Sequence, residues 1–445
     1  MNAAAIQNLL DNSLETLKQS MHQYLSDPER DFTRNRKLPF EKVVSSVLAM
    51  EGRSLNNELL YQFGCSLETP TSSALIQQRN KIDFKAFEAL FHDFTNRAQK
   101  HTVRLFKGYR LLAVDGSDVH IPFNPHDPES CVHKKNDTKP YNLLHIDAMY
   151  DILSNVYTDA SVCKIKNKNE QGTFVDMVDR SDLAGLVIVM ADRGYECYNV
   201  LAHIQEKNWK FLIRVKDTST GRSGIVHGLD LPDEDEFDFD VDLHLTYKQT
   251  KQVKELLKDR NHYKRLKSDR RFDYLSSKTN KNEPPQMYHL KFRVVRFKIS
   301  EDSYEVVLTN LDKDTFPAPV IKELYGKRWG IETSFRKLKY TVGLLHFHSK
   351  KAEFIFQEIY ARLTMYNYSE FIISEAVIPQ KDRNYDYTIN FSTASHICRE
   401  LFLKRIPPDD VEALMSRYLT PVRPGRSYPR KMLPKTSISF SYRIA

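Results

Sequence analysis

The sequence predicts an α/β fold: a mixed sheet with helices on both faces, a largely β insertion before the last functional helix, and a helical N-terminal region. Two apolar runs, Leu111 to Val114 and Leu186 to Met190, lead into Asp115 and Asp192, as buried strands do where they leave a sheet. Segments 143–151 and 155–164 alternate apolar and polar residues at the two-residue period of paired strands. Helical patterning at about 169–180 and 196–207 then brackets the Asp192 run, and WKFLIRVK (209–216) reads as one more strand.

The first 100 residues show five helix-compatible stretches, at 8–24, 39–51, 54–63, 71–80 and 83–99. Ser72 and Asp83 stand where N-caps are wanted, and Pro39 suits a first helical turn. The first part of the sheet falls within 101–215. Residues 216–313 depart from that order: MYHLKFRVVRFKI (287–299) and YEVVLTNL (304–311) read as strands of an insertion. The core resumes over 314–400, with a long helix at about 351–375, and 401–445 is a basic C-terminal region.

A chain of 445 residues exceeds one ordinary core, so two or three domains are expected. No apolar run is long enough for a membrane span and the N-terminus lacks the pattern of a secretory signal, which together point to the cytoplasm. The five cysteines are scattered without a CxxC pair, so they are expected as reduced thiols. Cys131 with His126 and His133 lies in a loop with no second ligand pair, which argues against zinc there. The net charge of +8 is modest but unevenly spread. Residues 230–242 hold eight acids and no base, 248–271 hold ten bases against three acids, and 401–445 hold nine bases against three. Basic runs of this kind are ordinary solvated surfaces and also the material of phosphate tracks.

The chemistry concentrates in LYGKRWGIETSFRKLK, where Tyr325, Arg328, Glu332 and Lys339 follow at intervals of three, four and seven. On one helix they form a single stripe, beside an apolar stripe of Leu324, Ile331, Phe335 and Leu338. Glu332 with Asp115 and Asp192 makes three hard oxygen donors, a set suited to Mg²⁺ or Mn²⁺ rather than zinc. Three carboxylates can hold two ions about 4 Å apart, one at the attacking and one at the leaving oxygen of a phosphodiester.

DGS around Asp115, ADRGY around Asp192 and the complete Tyr-x2-Arg-x3-Glu-x6-Lys pattern around Glu332 resemble the DDE transposases of the insertion-sequence-four group. The three blocks span about 109–350. The resemblance implies a ribonuclease H-like catalytic domain and a metal-binding triad of Asp115, Asp192 and Glu332, with two Mg²⁺ ions for which Mn²⁺ can substitute. It further implies that Tyr325 and Lys339 lie against transposon-end DNA near the cleaved phosphate and that Arg328, expected with them as a phosphate-pairing residue, helps hold the site. Arg193 and Arg336, flanking the acids in the same blocks, are expected as further DNA contacts. The N-terminal helices, with Arg34, Arg36, Lys37, Arg53, Arg79 and Lys81 between them, resemble a small DNA-end-binding domain. The expected reaction is hydrolysis at transposon ends followed by strand transfer, carried out by a homodimer assembled on double-stranded DNA.

Members that make hairpin ends receive a flipped base on an aromatic in the insertion. The two tryptophans here, Trp209 and Trp329, lie outside it, which leaves Tyr247, Tyr263, Phe272 or Tyr274 for such a role. His346 and His348 follow the Glu332 helix and are read as loop histidines in ordinary polar contacts. Two other readings keep the same residues: a metal-dependent nuclease without strand transfer, and a host-adopted DNA-binding protein.

Overall fold

A computed structural model describes residues 1–34, 37–133, 139–217, 224–276, 286–301, 303–378 and 385–422. Arg36 and the basic stretch RPGRSYPRK lie outside the described residues.

Five helices open the chain: α1 (Ala3–Gln19), α2 (Phe40–Ala49), α3 (Leu55–Gln62), α4 (Ser72–Arg79) and α5 (Lys85–Gln99). Thr71, not Ser72, caps α4, its hydroxyl accepting from the Ala74 N–H at 3.2 Å. Asp83 likewise falls one residue short of a cap: Phe84 holds the N-cap position of α5, and the Asp83 carboxylate accepts from Lys85 N–H. The core then runs β1 (Tyr109–Ile121), β2 (Cys131–Val132), β3 (Tyr141–Asp151), β4 (Val156–Lys164), α6 (Glu170–Arg180), β5 (Leu186–Ala191), α7 (Tyr198–Glu206) and β6 (Lys210–Val215).

Strands β4, β3, β1, β5 and β6 lie side by side in that order. β3 is antiparallel to β1 and β4, whereas β5 is parallel to β1 and β6 to β5. This is the order of a ribonuclease H-like sheet. Alternation along β1 and β5 decides which face each residue serves. Leu112, Val114, Val189 and Ala191 join the core under α6 and α7, whereas Leu111, Ile188 and Met190 pack on the opposite face.

The insertion strands do not form a separate sheet. β7 (Phe237–Thr246), helix α8 (Lys251–Leu256), β8 (Tyr263–Arg265), β9 (Tyr288–Ser300) and β10 (Ser303–Thr309) continue the same one, because β10 pairs antiparallel with β6. Part of the acidic run is paired across the ladder: Asp242 stands opposite Lys291, whose ammonium lies 3.4 Å from its carboxylate. Asp238 accepts from Nε and Nη2 of the buried Arg293.

After the sheet come α9 (Ala318–Lys327), α10 (Trp329–Tyr340) and α11 (Ala352–Glu375), then β11 (Tyr387–Ile389), α12 (Phe391–Phe402), α13 (Pro408–Met415) and β12 (Leu419–Pro421). α11 is buried along nearly its whole length, and it shares one apolar core with α1, α2, α5, α10 and the α10-facing side of β3 and β4. Arg79 of α4, expected on a basic surface, is 2% exposed. It donates to Glu358 at 2.9 Å and to Gln357 at 2.6 Å on α11. It therefore fastens the N-terminal helices to the core and is not available to DNA. A buried guanidinium needs such partners to offset its desolvation.

Candidate active site

Asp115 does not end its strand. β1 continues six residues further, paired with β3 to Ile121↔Asn142, while the parallel pairing with β5 stops at Val114↔Ala191. Asp115 thus stands where β5 drops away and its side of the sheet opens. Asp192 follows β5 directly, and its carboxylate accepts from the Gly194 N–H at 2.8 Å as the chain turns into a single 3₁₀ turn. By strand alternation Asp115 belongs to the face of Leu111 and Ala113, opposite α6 and α7.

That face is covered by the helical segment carrying Tyr325, Arg328, Glu332 and Lys339. The expected single helix is two, α9 and α10, meeting at Arg328, which keeps helical angles (φ −51°, ψ −33°). The apolar stripe is buried as expected, with Leu324, Ile331 and Leu338 at 0% exposure. α10 is held against β1 by Lys339, whose ammonium donates to Ser117 Oγ at 2.7 Å and to the Asp118 carbonyl at 2.9 Å. Glu332 lies two turns before Lys339 on that helix, so the contact brings it toward Asp115.

Asp192 and Glu332 lie near enough for their charges to act on Asp115. Burial raises the Asp115 carboxyl, Arg328 and the Gly116 N–H oppose that shift, and the negative charges of Asp192 and Glu332 add to it, leaving its pKa at about 6. Arg328, 5% exposed, points Nη2 at Glu332 Oε1 (3.1 Å) and Nη1 at Asp115 Oδ2 (3.9 Å). Burial works against its charge, but Tyr325, Asp115 and Glu332 outweigh burial and raise its pKa. Tyr325 is 3% exposed, and burial pushes its phenol up to about 12. The Tyr325 hydroxyl and the Arg328 Nε are both buried without a hydrogen-bond partner among the described residues. One guanidinium against three acids leaves a surplus of negative charge, and the donors are all carboxylate oxygens. That set fits a hard divalent cation. Arg193 and Arg336 are exposed, beside Asp192 and one turn beyond Glu332.

Three features do not declare themselves in the sequence. Trp329, 51% exposed, adjoins Arg328, whose guanidinium lies 5.5 Å from its ring centroid, so the exposed tryptophan sits at the helix junction. Its place after the motif arginine was the available signal. Trp209 is buried, and so is Phe272, which removes Phe272 from the aromatics able to receive a base. Behind β1, on the α6 side, His145 bridges Asp118 (2.7 Å) and Asp147 (3.1 Å). Burial lowers the His145 pKa but the two carboxylates outweigh it, to about 9. Gly116 makes this approach possible: a Cβ there would lie 2.7 Å from the His145 ring and from Glu170 Oε1. Two charged residues on one face of LLHIDAMYD were the signal. His348, expected as a loop histidine in ordinary polar contacts, is held by Glu358 and the Arg53 carbonyl.

No curated protein matches the chain. A solved structure titled as a piggyBac transposase synaptic complex with hairpin DNA is similar at a TM-score of 0.43 and 9% identity, covering 96% of this chain and 87% of that one. The description "Transposase DDE domain" matches residues 106–368, more than half the chain and a span that contains Asp115, Asp192 and Glu332. The chain belongs to the family of transposase DDE domains.

Proposed function

We propose that this protein is a cut-and-paste DNA transposase of the insertion-sequence-four group, with Asp115, Asp192 and Glu332 as its catalytic acids. The observation that supports this reading is Arg328 facing Glu332 at 3.1 Å and Asp115 at 3.9 Å at the rim where β1 and β5 part, with Asp192 directly following β5. These carboxylates would hold two Mg²⁺ ions, which when bound activate the attacking oxygen and neutralise charge on the phosphate.

The chain's own residues position the substrate. Lys339, with the exposed Arg193 and Arg336, contacts phosphates and sugars of the transposon end, while the buried Tyr325 backs Arg328, which sets the spacing of Asp115 and Glu332. Water adds to the phosphorus at the end of the element and the P–O3′ bond breaks. A 5′-phosphate remains on one side and a 3′-hydroxyl, carrying a proton from that water, on the other. The 3′-hydroxyl then attacks a target phosphodiester in line and displaces a new 3′-hydroxyl, so no covalent enzyme intermediate is needed.

The N-terminal helices of residues 1–100 and the basic stretches of the 216–313 and 401–445 regions serve as DNA-end and flank contacts. A homodimer assembled on double-stranded DNA brings two ends to one target, in the cytoplasm on nucleoid DNA. The test is incubation of the protein and Mg²⁺ with a plasmid carrying the element's two ends. Excision with joining to a second plasmid supports the reading. Cleavage without joining would identify a nuclease, and binding without cleavage a host-adopted DNA-binding protein.

A further inference from the structure

On β7 and β9, far along the sheet from β1 and β5, His244 and His289 stand directly opposite each other in the antiparallel ladder. Their rings stack with centroids 4.7 Å apart and planes 21° from parallel. Asp242, two residues before His244 and therefore on the same face, is hydrogen-bonded to the His289 ring. One donor atom from each of the three lies within 4.8 Å of the others. The Nδ1 of His244 is buried and has no hydrogen-bond partner among the described residues, an arrangement that costs free energy unless something fills it. Tyr263 stacks at 5.4 Å from the His244 ring and fixes its plane.

We propose that Asp242, His244 and His289 form a transition-metal site, taking Zn²⁺ or a similar borderline ion, separate from the carboxylate triad. Two imidazoles and one carboxylate suit Zn²⁺, Co²⁺ or Ni²⁺ and poorly suit Mg²⁺, the reverse of the preference of Asp115, Asp192 and Glu332. Tetrahedral ligands with bonds of about 2.0–2.1 Å stand about 3.3 Å apart, so side-chain rotation alone closes the group around an ion. Access is provided, because Asp242 also lines an open cavity of about 630 Å³ with His262 and Lys291, which supplies water for the remaining coordination positions. Lys291, 3.4 Å from Asp242 and 67% exposed, neutralises the carboxylate without an ion and can swing into solvent when one binds. An ion here would staple the end of β7 to the start of β9 and stiffen the outer part of the sheet.

The experiment titrates metal-stripped full-length protein with Co²⁺, and then with Zn²⁺ as competitor, in excess Mg²⁺ so that the carboxylate triad is saturated. The expected result is one equivalent of Co²⁺ with the visible absorption of nitrogen ligation, displaced by Zn²⁺. His289→Asn and His244→Asn should each weaken it by on the order of a hundredfold, at least the cost of losing an outer partner of a metal ligand. His289 is 45% exposed, so His289→Asn keeps the fold, which circular dichroism verifies. Asp115→Asn should bind Co²⁺ as the wild type does. Co²⁺ binding that is unchanged in the His244→Asn/His289→Asn double variant, or lost in Asp115→Asn, or absent from the wild type under excess Mg²⁺, would overturn the proposal. None of these outcomes bears on whether the triad cleaves DNA.

Discussion

Arg328 holds Glu332 one helical turn away, with Nη2 3.1 Å from Oε1, while its other amino group faces Asp115 across 3.9 Å. The contact joins the sheet to the helix at the one point where two of the three acids must keep a fixed separation. Arg328→Ala is predicted to lower end cleavage by about a hundredfold, the scale of a misplacement near 1 Å. Arg328→Lys should recover little, since an ammonium cannot span two carboxylates as the planar fork does. Single-turnover cleavage beside an end-binding assay checks this, with binding expected to change far less than cleavage.

Asp115 is a source of instability without metal. Its pKa in the fold, about 6, lies above the unfolded value, so the folded state binds more protons between roughly pH 4 and 6 and loses stability as pH rises through that window. Above it the full cost remains, up to about 3 kcal/mol. Asp115→Asn is therefore predicted to be more stable than the wild type at pH 7.5 in chelator. The gain should shrink at pH 4 and when Mg²⁺ is added to the wild type. Thermal melts at the two pH values, with and without Mg²⁺, measure both differences.

Lys339 fixes α10 against β1 through Ser117, at 2.7 Å. Ser117→Ala removes one of the two hydrogen bonds and should cost about 1 kcal/mol. Lys339→Met should cost more in cleavage than in stability if the ammonium also meets phosphate. Urea unfolding and cleavage rates on both variants separate the two effects.

Glu358 is 1% exposed and receives Arg79, His348 and Arg362. Glu358→Ala leaves those cations buried without their carboxylate and is predicted to destabilise the fold by about 3–5 kcal/mol. Lys81→Ala, whose partner Asp31 lies at 3.3 Å near the surface, should cost within about 1 kcal/mol. Chemical denaturation of the two variants makes the comparison.

What was legible in the sequence is what short-range periodicity controls. The apolar runs before Asp115 and Asp192, the alternation of β3 and β4, and the apolar stripe of α10 all declare themselves within a dozen residues. What was not legible depends on pairing between distant segments. Asp115 reads as a strand end because Gly116 follows it, yet β3 keeps β1 extended to Ile121. The insertion reads as separate strands because nothing local tells β10 to pair with β6. Arg79 reads as a surface cation because its carboxylate partner, Glu358, lies 279 residues away. Charge in a short helix has no sign of burial until the opposing helix is known.

The most direct measurement is Mg²⁺-dependent cleavage and joining of a two-ended plasmid by the wild type beside Asp115→Ala, Asp192→Ala and Glu332→Ala. End binding by all four proteins is measured in parallel. The account predicts joined product from the wild type alone, with each variant still binding the ends. Cleavage that survives in any one of the three variants would contradict it, because the reacting phosphate would then lie elsewhere on the protein.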